Sequence, residues 1–383
     1  MDFARTEEQE LLLESLQTVM ERGNFESYFR ECDEKHQFPD QAVEALVEAG
    51  FASLGIPEEL GGTPTDILTQ IMVAEEAHAL GYPSLCWINF STEVDDILSF
   101  GSKEQQEKVI SYALQGKKPF TLGFTEPQAG SDSAAMSTTA TKRDGKVYIN
   151  GNKTFNTSAD RAPYMLCVCR SGINENPYKD FSMYLFPMDA PGVTIEKLSK
   201  VGNNMCGTYE VHLDNVECEE SDLVGEECKG FYQLMKNFEV ERLTICAANV
   251  GMARCAYDEA LRYAAQREQF GKPIGTFQLI QEKLVDMRIK IENMQNLLYK
   301  TAWKKMQGES IMIDSSLVKR YTGKAAFEVI DDAMQIMGGI GYTDDCRISR
   351  LWRDQRVYRI MAGTEEIMVH TAGRAIIKEA QGR

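Results

Sequence analysis

GFYQLMKNFEVERLTICAANVGMARCAYDEALRYAAQ, residues 230–266, is the stretch on which the fold turns. Within it, FEVER at 238–242 carries Glu239 and Glu241, two positions apart and so about 200° apart on a helix. Only one of the two faces an interior. Downstream, Leu243, Ile245, Cys246, Ala247, Val250, Met252 and Ala253, interleaved with Gly251 and further alanines, are too apolar for a surface helix and suit a central one. The stretch predicts a long helix over 230–266 that holds the Glu241 carboxylate inside the protein.

Helical periodicity continues after it, through GTFQLIQEKLVDMRIKIENMQNLLYKTAWKKM, through SSLVKRYTGKAAFEVIDDAMQIM ended by Gly338 and Gly339, and through TEEIMVHTAGRAIIKEA. Before it, residues 121–217 are rich in Thr, Val, Ile, Tyr and Phe. Asp144-Gly145 and Asn150-Gly151 read there as hairpin turns flanking KVYIN. Further back the pattern is helical again. Thr6 with Gln9 fits a capping box ahead of Leu11, Leu12, Leu16, Val19 and Met20. A second helix starts near Pro39 and Asp40 and stops at Gly50. Others are expected over 65–80, 85–100 and 102–114, the last capped by Ser102 and ended by Gly116. The expectation is an α+β multidomain chain: a helical N-terminal domain (1–118), a middle β-barrel or sandwich domain (119–227), and a C-terminal helical bundle (228–383).

With 383 residues, 43% hydrophobic and 26% charged, the chain has material for two or three domains. Its 41 Lys and Arg against 58 Asp and Glu give a net charge of −17, which argues against unspecific binding to nucleic acid or anionic membranes. MDFARTEEQE lacks the basic start and apolar core of a signal peptide, and no stretch approaches the length of a membrane span. A cytoplasmic location is expected. The ten cysteines show no CxxC spacing and the histidines, His36, His78, His212 and His370, stand apart. No metal site or disulfide scaffold is indicated, and Cys167 and Cys169 in YMLCVCR read as buried structural residues.

TLGFTEPQAGSD at 121–132 closely resembles the flavin-loop signature of the acyl-CoA dehydrogenase family, usually TEPGAGSD. KTFNTSA from Lys153, REQFGKPIGTFQLIQEKLVDM from Arg267, QIMGGIGY from Gln335, RLWRDQR from Arg350 and AGTEEIM from Ala362 follow in the family's order. The resemblance spans essentially the whole chain, and within the family the text is nearest the crotonobetainyl-CoA reductase branch. It implies the family's architecture with a C-terminal four-helix bundle, and FAD as cofactor; no GxGxxG follows a strand to suggest a Rossmann site.

By the same resemblance, Leu122, Phe124, Thr125, Gly130 and Ser131 line the flavin, with Phe155 and Thr157 beside its ring. Arg267, Gln269, Phe270, Gln278, Gln335, Gly338 and Gly339 hold the ADP half across a subunit contact, and Thr364 and Glu366 close over the cofactor. A homo-oligomer follows, commonly a dimer of dimers. Ser131, Glu239, Arg242, Ala362 and Gly363 are implied to border the acyl-CoA substrate. Two positions depart from the pattern: Gln128 replaces a glycine, and Phe155 stands where tryptophan is frequent.

In many members the catalytic base is a glutamate at the position occupied here by Ala362, whose methyl group carries no proton. A minority place the base on the long helix before the arginine, which here is Glu241. The resemblance therefore implies proton exchange between Glu241 and the substrate α-carbon, with hydride passing between the β-carbon and flavin N5 on the opposite face. The implied activity is that of an acyl-CoA dehydrogenase or enoyl-CoA reductase, acting on a short or modified, crotonobetainyl-type acyl group and exchanging electrons with an electron-transferring flavoprotein. The alternatives are a general fatty-acid β-oxidation dehydrogenase and a catalytically silent acyl-CoA-binding relative.

Overall fold

A computed structural model describes residues 4–382. Residues 1–3 and 383, the outermost ends of the first and last expected domains, lie outside the described residues. The N-terminal helices are α1 (Glu7–Gly23), α2 (Glu26–Lys35), α3 (Asp40–Glu48), α4 (Ile67–Ala79), α5 (Asp95–Phe100) and α6 (Lys103–Ala113). Thr6 and Gln9 form the expected capping box, and the expected N-cap Ser102 forms a further one with Gln105. Gly50, at φ 85°, closes α3 in the left-handed region.

The helix expected over 85–100 is a correction: only Asp95–Phe100 is α-helical. After the short turn at Ser84–Cys86 the chain runs irregularly, because the Asn89 side chain binds loop backbone instead of allowing a helical ladder. Its Nδ2 donates to the Leu54 carbonyl at 2.8 Å and its Oδ1 accepts from the Ser91 N–H at 3.1 Å. Helix α2, for which no expectation was formed, begins after Asn24 adopts a left-handed φ of 43° and breaks the line of α1.

The middle region holds β1 (Thr121–Gly123), β2 (Thr139–Arg143), β3 (Lys146–Thr157), β4 (Tyr164–Arg170), β5 (Phe181–Pro187), β6 (Val193–Lys197), β7 (Thr208–Cys218) and β8 (Leu223–Val224). These form one sheet in the order β6-β7-β3-β2-β4-β5-β8, with β1 pairing parallel to β4. Asp144 and Gly145, both at positive φ, make the β2–β3 hairpin turn. Asn150-Gly151 does not turn the chain, which corrects the second hairpin. Instead β3 continues through Gly151 at a register shift against β7. A Cβ there would lie 2.3 Å from the Thr138 hydroxyl, so glycine allows the close approach of a neighbouring segment.

At β4 and β5 both faces of the sheet are buried, which is why YMLCVCR and FSMYLFP read as continuous apolar runs. Met165, Cys167, Cys169, Tyr184 and Phe186 face one core with Val147, Ile149, Val211 and Val216. Leu166, Val168, Met183 and Leu185 face another, filled by Phe90 of the irregular segment, Ile97, Val109 and Ile110 of the N-terminal helices and Leu234 of the long helix.

That long helix is α7 (Gly230–Gln266), as expected. It is followed by α8 (Gln278–Met306), α9 (Met312–Met337), α10 (Arg347–Gln355) and α11 (Glu365–Ala380). Helix α7 packs on α4, α8 and α9, and every residue from 245 to 253 is buried. Gly251 sets the α4–α7 approach: a Cβ there would stand 2.3 Å from the Glu75 carbonyl oxygen and 2.6 Å from the His78 Cβ. Replacing Gly251 with Ala is expected to force the helices apart and cost about 1–3 kcal/mol, readable as a lowered denaturation midpoint. Among the described residues no helix is long and apolar enough to cross a membrane.

Candidate functional site

Strand β1 and the loop after it lie against the end of β3. The Thr154 N–H donates to the Thr125 carbonyl at 2.8 Å and the Thr121 hydroxyl to the Thr157 carbonyl at 3.0 Å. These bonds bring Leu122, Phe124, Thr125, Phe155 and Thr157 together. Phe155 has φ 59° at a bulge between β3 and β7 and is 65% exposed. A bulky side chain in the left-handed region is rare, and a bulge re-aims the residue it carries. Here it turns an aromatic ring outward beside two threonines.

The loop after β1 is held from beneath by Glu126, which is 2% exposed. Its carboxylate accepts from Lys153 Nζ at 2.8 Å, from the Ser137 N–H at 2.7 Å and hydroxyl at 2.9 Å, and from the Thr138 N–H at 2.9 Å. Gln128 joins the same cluster, its Nε2 donating to Glu126 at 2.6 Å and to the Ser137 hydroxyl at 2.8 Å. The side chain that stands in place of the usual glycine therefore turns inward to the scaffold. Gly130 and Ser131 follow on the exposed side, and a Cβ at Gly130 would meet nothing within 4 Å.

Helix α7 meets this strand pair through a ring contact, Phe124 to Phe238, with centroids 5.8 Å apart. Three residues on is Glu241, half-buried but with its carboxylate densely surrounded. Burial, then the neighbouring Glu93 charge, pushes its pKa up to about 7 against the pull of Lys118 and Arg242. Glu239 occupies a different environment: burial raises its pKa, opposed by Arg242, Lys305 and Lys236. Arg242 is 7% exposed and its buried Nε has no hydrogen-bond partner among the described residues. A guanidinium donor left open beside Glu241 suits an acceptor that is not part of the chain.

Lys319, fully buried on α9, was not anticipated. Its Nζ donates to the Gly363 carbonyl at 2.5 Å, and burial, with the Arg242 charge opposing Cys246, lowers its pKa to about 8. It thereby fixes the 361–364 loop beside the α7 residues Arg242 and Cys246. The signal was present in sequence: Lys319 falls on the face of α9 otherwise lined by Ser315, Ser316, Thr322 and Ala326. Ala362 has φ 51° and Gly363 φ 88°, and among the described residues the Ala362 N–H takes no backbone partner. Thr364 caps α11 by accepting from the Ile367 N–H at 3.2 Å, while Glu366 is exposed. The buried Glu365 is clamped by Arg320 and Arg359.

Arg267, Gln269, Phe270, Gln278, Gln335, Gly338 and Gly339 do not join this cluster. They are exposed, Phe270 to 94%, and Arg267 lies 26 residues beyond Glu241, about 39 Å along the helix axis. They share one end of the bundle, where Lys283 of α8 pairs with Asp332 of α9. A Cβ at Gly338 or Gly339 would meet nothing within 4 Å.

The flavin implied by the motifs fits the first cluster. Among the described residues the hydroxyls of Thr125, Ser131 and Thr157 make no hydrogen bond, the Phe155 ring is 65% exposed, and Gly130 leaves room for close approach. Such hydroxyls match the polar edge of an isoalloxazine ring.

Models of the acyl-CoA dehydrogenase N-terminal, middle and C-terminal domains match residues 6–117, 121–216 and 228–377. The chain is 47% identical over 384 residues to the probable acyl-CoA dehydrogenase YdiO of Escherichia coli strain K12, covering 100% of both. Among solved structures it resembles butyryl-CoA dehydrogenase from Megasphaera elsdenii (29% identity, 98% of this chain and 100% of that one, TM-score 0.91). It also resembles glutaryl-coenzyme A dehydrogenase in its glutaryl-CoA complex (28%, 100% and 98%, TM-score 0.91). A chain from a structure described as the electron transferring flavoprotein of Acidaminococcus fermentans matches similarly (28%, 99% and 100%, TM-score 0.90). The chain therefore belongs to the acyl-CoA dehydrogenase family of flavoproteins, oxidoreductases that act on the CH–CH bond of acyl-CoA thioesters.

Proposed function

We propose that this protein is an FAD-dependent acyl-CoA dehydrogenase or enoyl-CoA reductase in which Glu241 is the acid and base at the substrate α-carbon. The observation that carries the reading is the position of Glu241, with its proton held near neutrality, on the helix whose Phe238 touches the flavin-loop Phe124. Bound FAD supplies the acceptor or donor of the β-hydride. The chain's own groups do the rest. Leu122, Phe124, Thr125, Gly130, Ser131, Phe155 and Thr157 seat the ring, and Thr364 and Glu366 close over the cofactor. Arg242 and the Ala362 N–H offer donors to the thioester side, where enolate-like charge develops. Ser131, Glu239 and Gly363 border the entering CoA ester.

The exposed group from Arg267 to Gln278, with Gln335, Gly338 and Gly339, serves the ADP half of a second subunit's cofactor, which requires at least a homodimer and fits a dimer of dimers. The division into domains at 1–118, 119–227 and 228–383 goes with this reading. A charged pair, Glu93 with Lys118, stands beside Glu241 and favours a short or modified acyl group, crotonobetainyl-type included, over a long aliphatic one. The likeness to the Acidaminococcus fermentans chain supports an electron-transferring flavoprotein as redox partner.

Anaerobic titration of the FAD-loaded protein with short, branched, aromatic and betaine-bearing acyl-CoAs is expected to bleach the flavin with at least one short or modified ester. Bleaching by long-chain esters alone would favour general β-oxidation. Binding of CoA esters without any bleaching would favour a silent relative, and a protein that takes up no FAD would defeat the proposal.

A further inference from the structure

The segment between α4 and α6 lies across α7 on two tethers. The Thr92 and Thr244 hydroxyls are 3.2 Å apart, and Asn237 Nδ2 donates to Asp96 Oδ2 at 3.0 Å. Asn237, Glu241 and Thr244 follow one another at spacings of four and three, so they share one face of α7. Residue 93 lies between the two tethers on one side and residue 241 between them on the other. The Glu93 carboxylate is gripped by Lys118, which comes from the strand approach to β1 and stands 5.4 Å over the Phe90 ring. The side chains of Glu93 and Lys118 are 33% and 16% exposed, so the pair is partly buried where this segment meets α7 without being sealed off from solvent.

We propose that Glu93 and Lys118 are positioning residues for the proton transfer: set as an ion pair between the two tethers and opposite Glu241, they place opposed charges beside its carboxylate and so govern its proton exchange. The inference rests on Glu241 being the acid and base. Several charged groups face Glu241. Glu93 and Asp96 come from the 90–100 segment, Lys118 from the approach to β1, and Arg242 from α7 itself. Lys319 of α9 stands behind Arg242. Of these, Glu93 and Lys118 act on Glu241 with opposite signs from a single ion pair. The anion of Glu93 disfavours a second anion beside it and the cation of Lys118 favours one. A base that must accept a proton in one direction and return it in the other works best between those limits. Arg242 is too confined to be this adjustable element, since its guanidinium is buried and aimed where substrate binds.

The test follows the carboxyl itself. In the FAD-loaded enzyme, difference infrared titration across neutral pH isolates the protonated carboxyl band that vanishes in Glu241→Gln. The same titration on the FAD-free protein removes any dependence on turnover. Glu93→Gln is expected to move the midpoint of that band down by about 1 pH unit, a tenfold loss of proton affinity, and Lys118→Met to move it up by about as much. The double variant should return toward the wild type. The pH profile of flavin reduction by butyryl-CoA should move in the same directions. Because the two single variants shift in opposite senses, the failure of one to fold leaves the other decisive. A midpoint that stays in place in a folded variant would make the pair merely structural. Absence of any such band in the wild type would instead overturn the Glu241 assignment, and the proposal with it.

Discussion

Glu241→Gln is expected to slow flavin reduction by acyl-CoA about 10²–10⁴-fold while the protein still takes up FAD and binds CoA esters. The amide matches the carboxylate in shape and keeps the helix surface, but it neither takes nor gives the α-proton. The neighbouring carboxyls, Glu93 and Asp96, are engaged by Lys118 and Asn237. The family's alternative position is Ala362, and Glu239 points to Arg242, Lys236 and Lys305. Glu239→Gln should therefore act on KM and leave the pH profile in place. For the wild type the oxidative rate should rise with pH through about 7, because the ionised carboxylate is the base. The reductive rate should fall over the same range, because the acid is the donor. Stability follows the opposite sense from catalysis in the oxidative direction. A glutamate whose folded pKa is raised contributes stability that is fully present below its unfolded value of 4.5 and is lost as pH rises through about 7. The Gln variant should then gain melting temperature relative to wild type above neutrality and not in acid, a thermal measurement independent of turnover. Full flavin reduction by the variant would end the assignment.

How far the site was legible in sequence depended on whether its parts are local. The interior character of α7 follows from one stretch, since nine successive buried residues leave a pattern that no surface helix has. The capping boxes at Thr6 and Ser102 and the Asp144-Gly145 turn are equally local. Asn150-Gly151 has the same turn chemistry, yet tertiary contact decides its use: Thr138 crosses so close that glycine is needed inside a continuous strand. The 85–100 stretch has helical spacing but yields to Asn89, whose partners are 35 residues away at Leu54. Glu241 could be singled out as a candidate because FEVER stands in a recognisable motif context. Glu93, Lys118 and Lys319 could not, because each gains meaning only from a partner on another element. Lys319 offered a hint, as a lysine on a face of small and apolar residues; Glu93 offered none, since an acidic residue before α5 is ordinary surface composition.

Lys153→Met is expected to destabilise the protein by about 3–5 kcal/mol, the usual consequence of removing one partner from a buried ion pair, and to speed the loss of FAD. Lys153 is fully buried, and its Nζ reaches Glu126 at 2.8 Å and the Phe124 carbonyl at 3.2 Å. Methionine fills much the same space, so the change isolates the charge from the packing. Burial by itself would raise the Glu126 pKa, but the Lys153 charge and hydrogen bond, with the N–H groups of Ser137 and Thr138, outweigh it and bring the carboxyl to about 2. A carboxyl held there, against 4.5 in the unfolded chain, contributes stability that is complete above 4.5 and disappears as pH falls toward 2. The wild type should therefore lose stability across that acid window, and Lys153→Met should lose less there because it has already forfeited the contribution at neutral pH. Lys153→Met with Glu126→Gln should recover part of the loss, since the neutral amide no longer needs a cation. The functional consequence follows from what the pair anchors. Glu126 ties the loop bearing Thr125, Gly130 and Ser131 to β2 and β3, and without its cation the loop hydroxyls proposed to seat FAD lose their fixed positions. Thermal unfolding of the FAD-free and FAD-loaded protein separates the two effects. An unchanged melting temperature would show that the hydrogen bonds to Glu126 suffice without Lys153. A lowered temperature with undiminished FAD retention would show that the pair supports the sheet and not the cofactor loop.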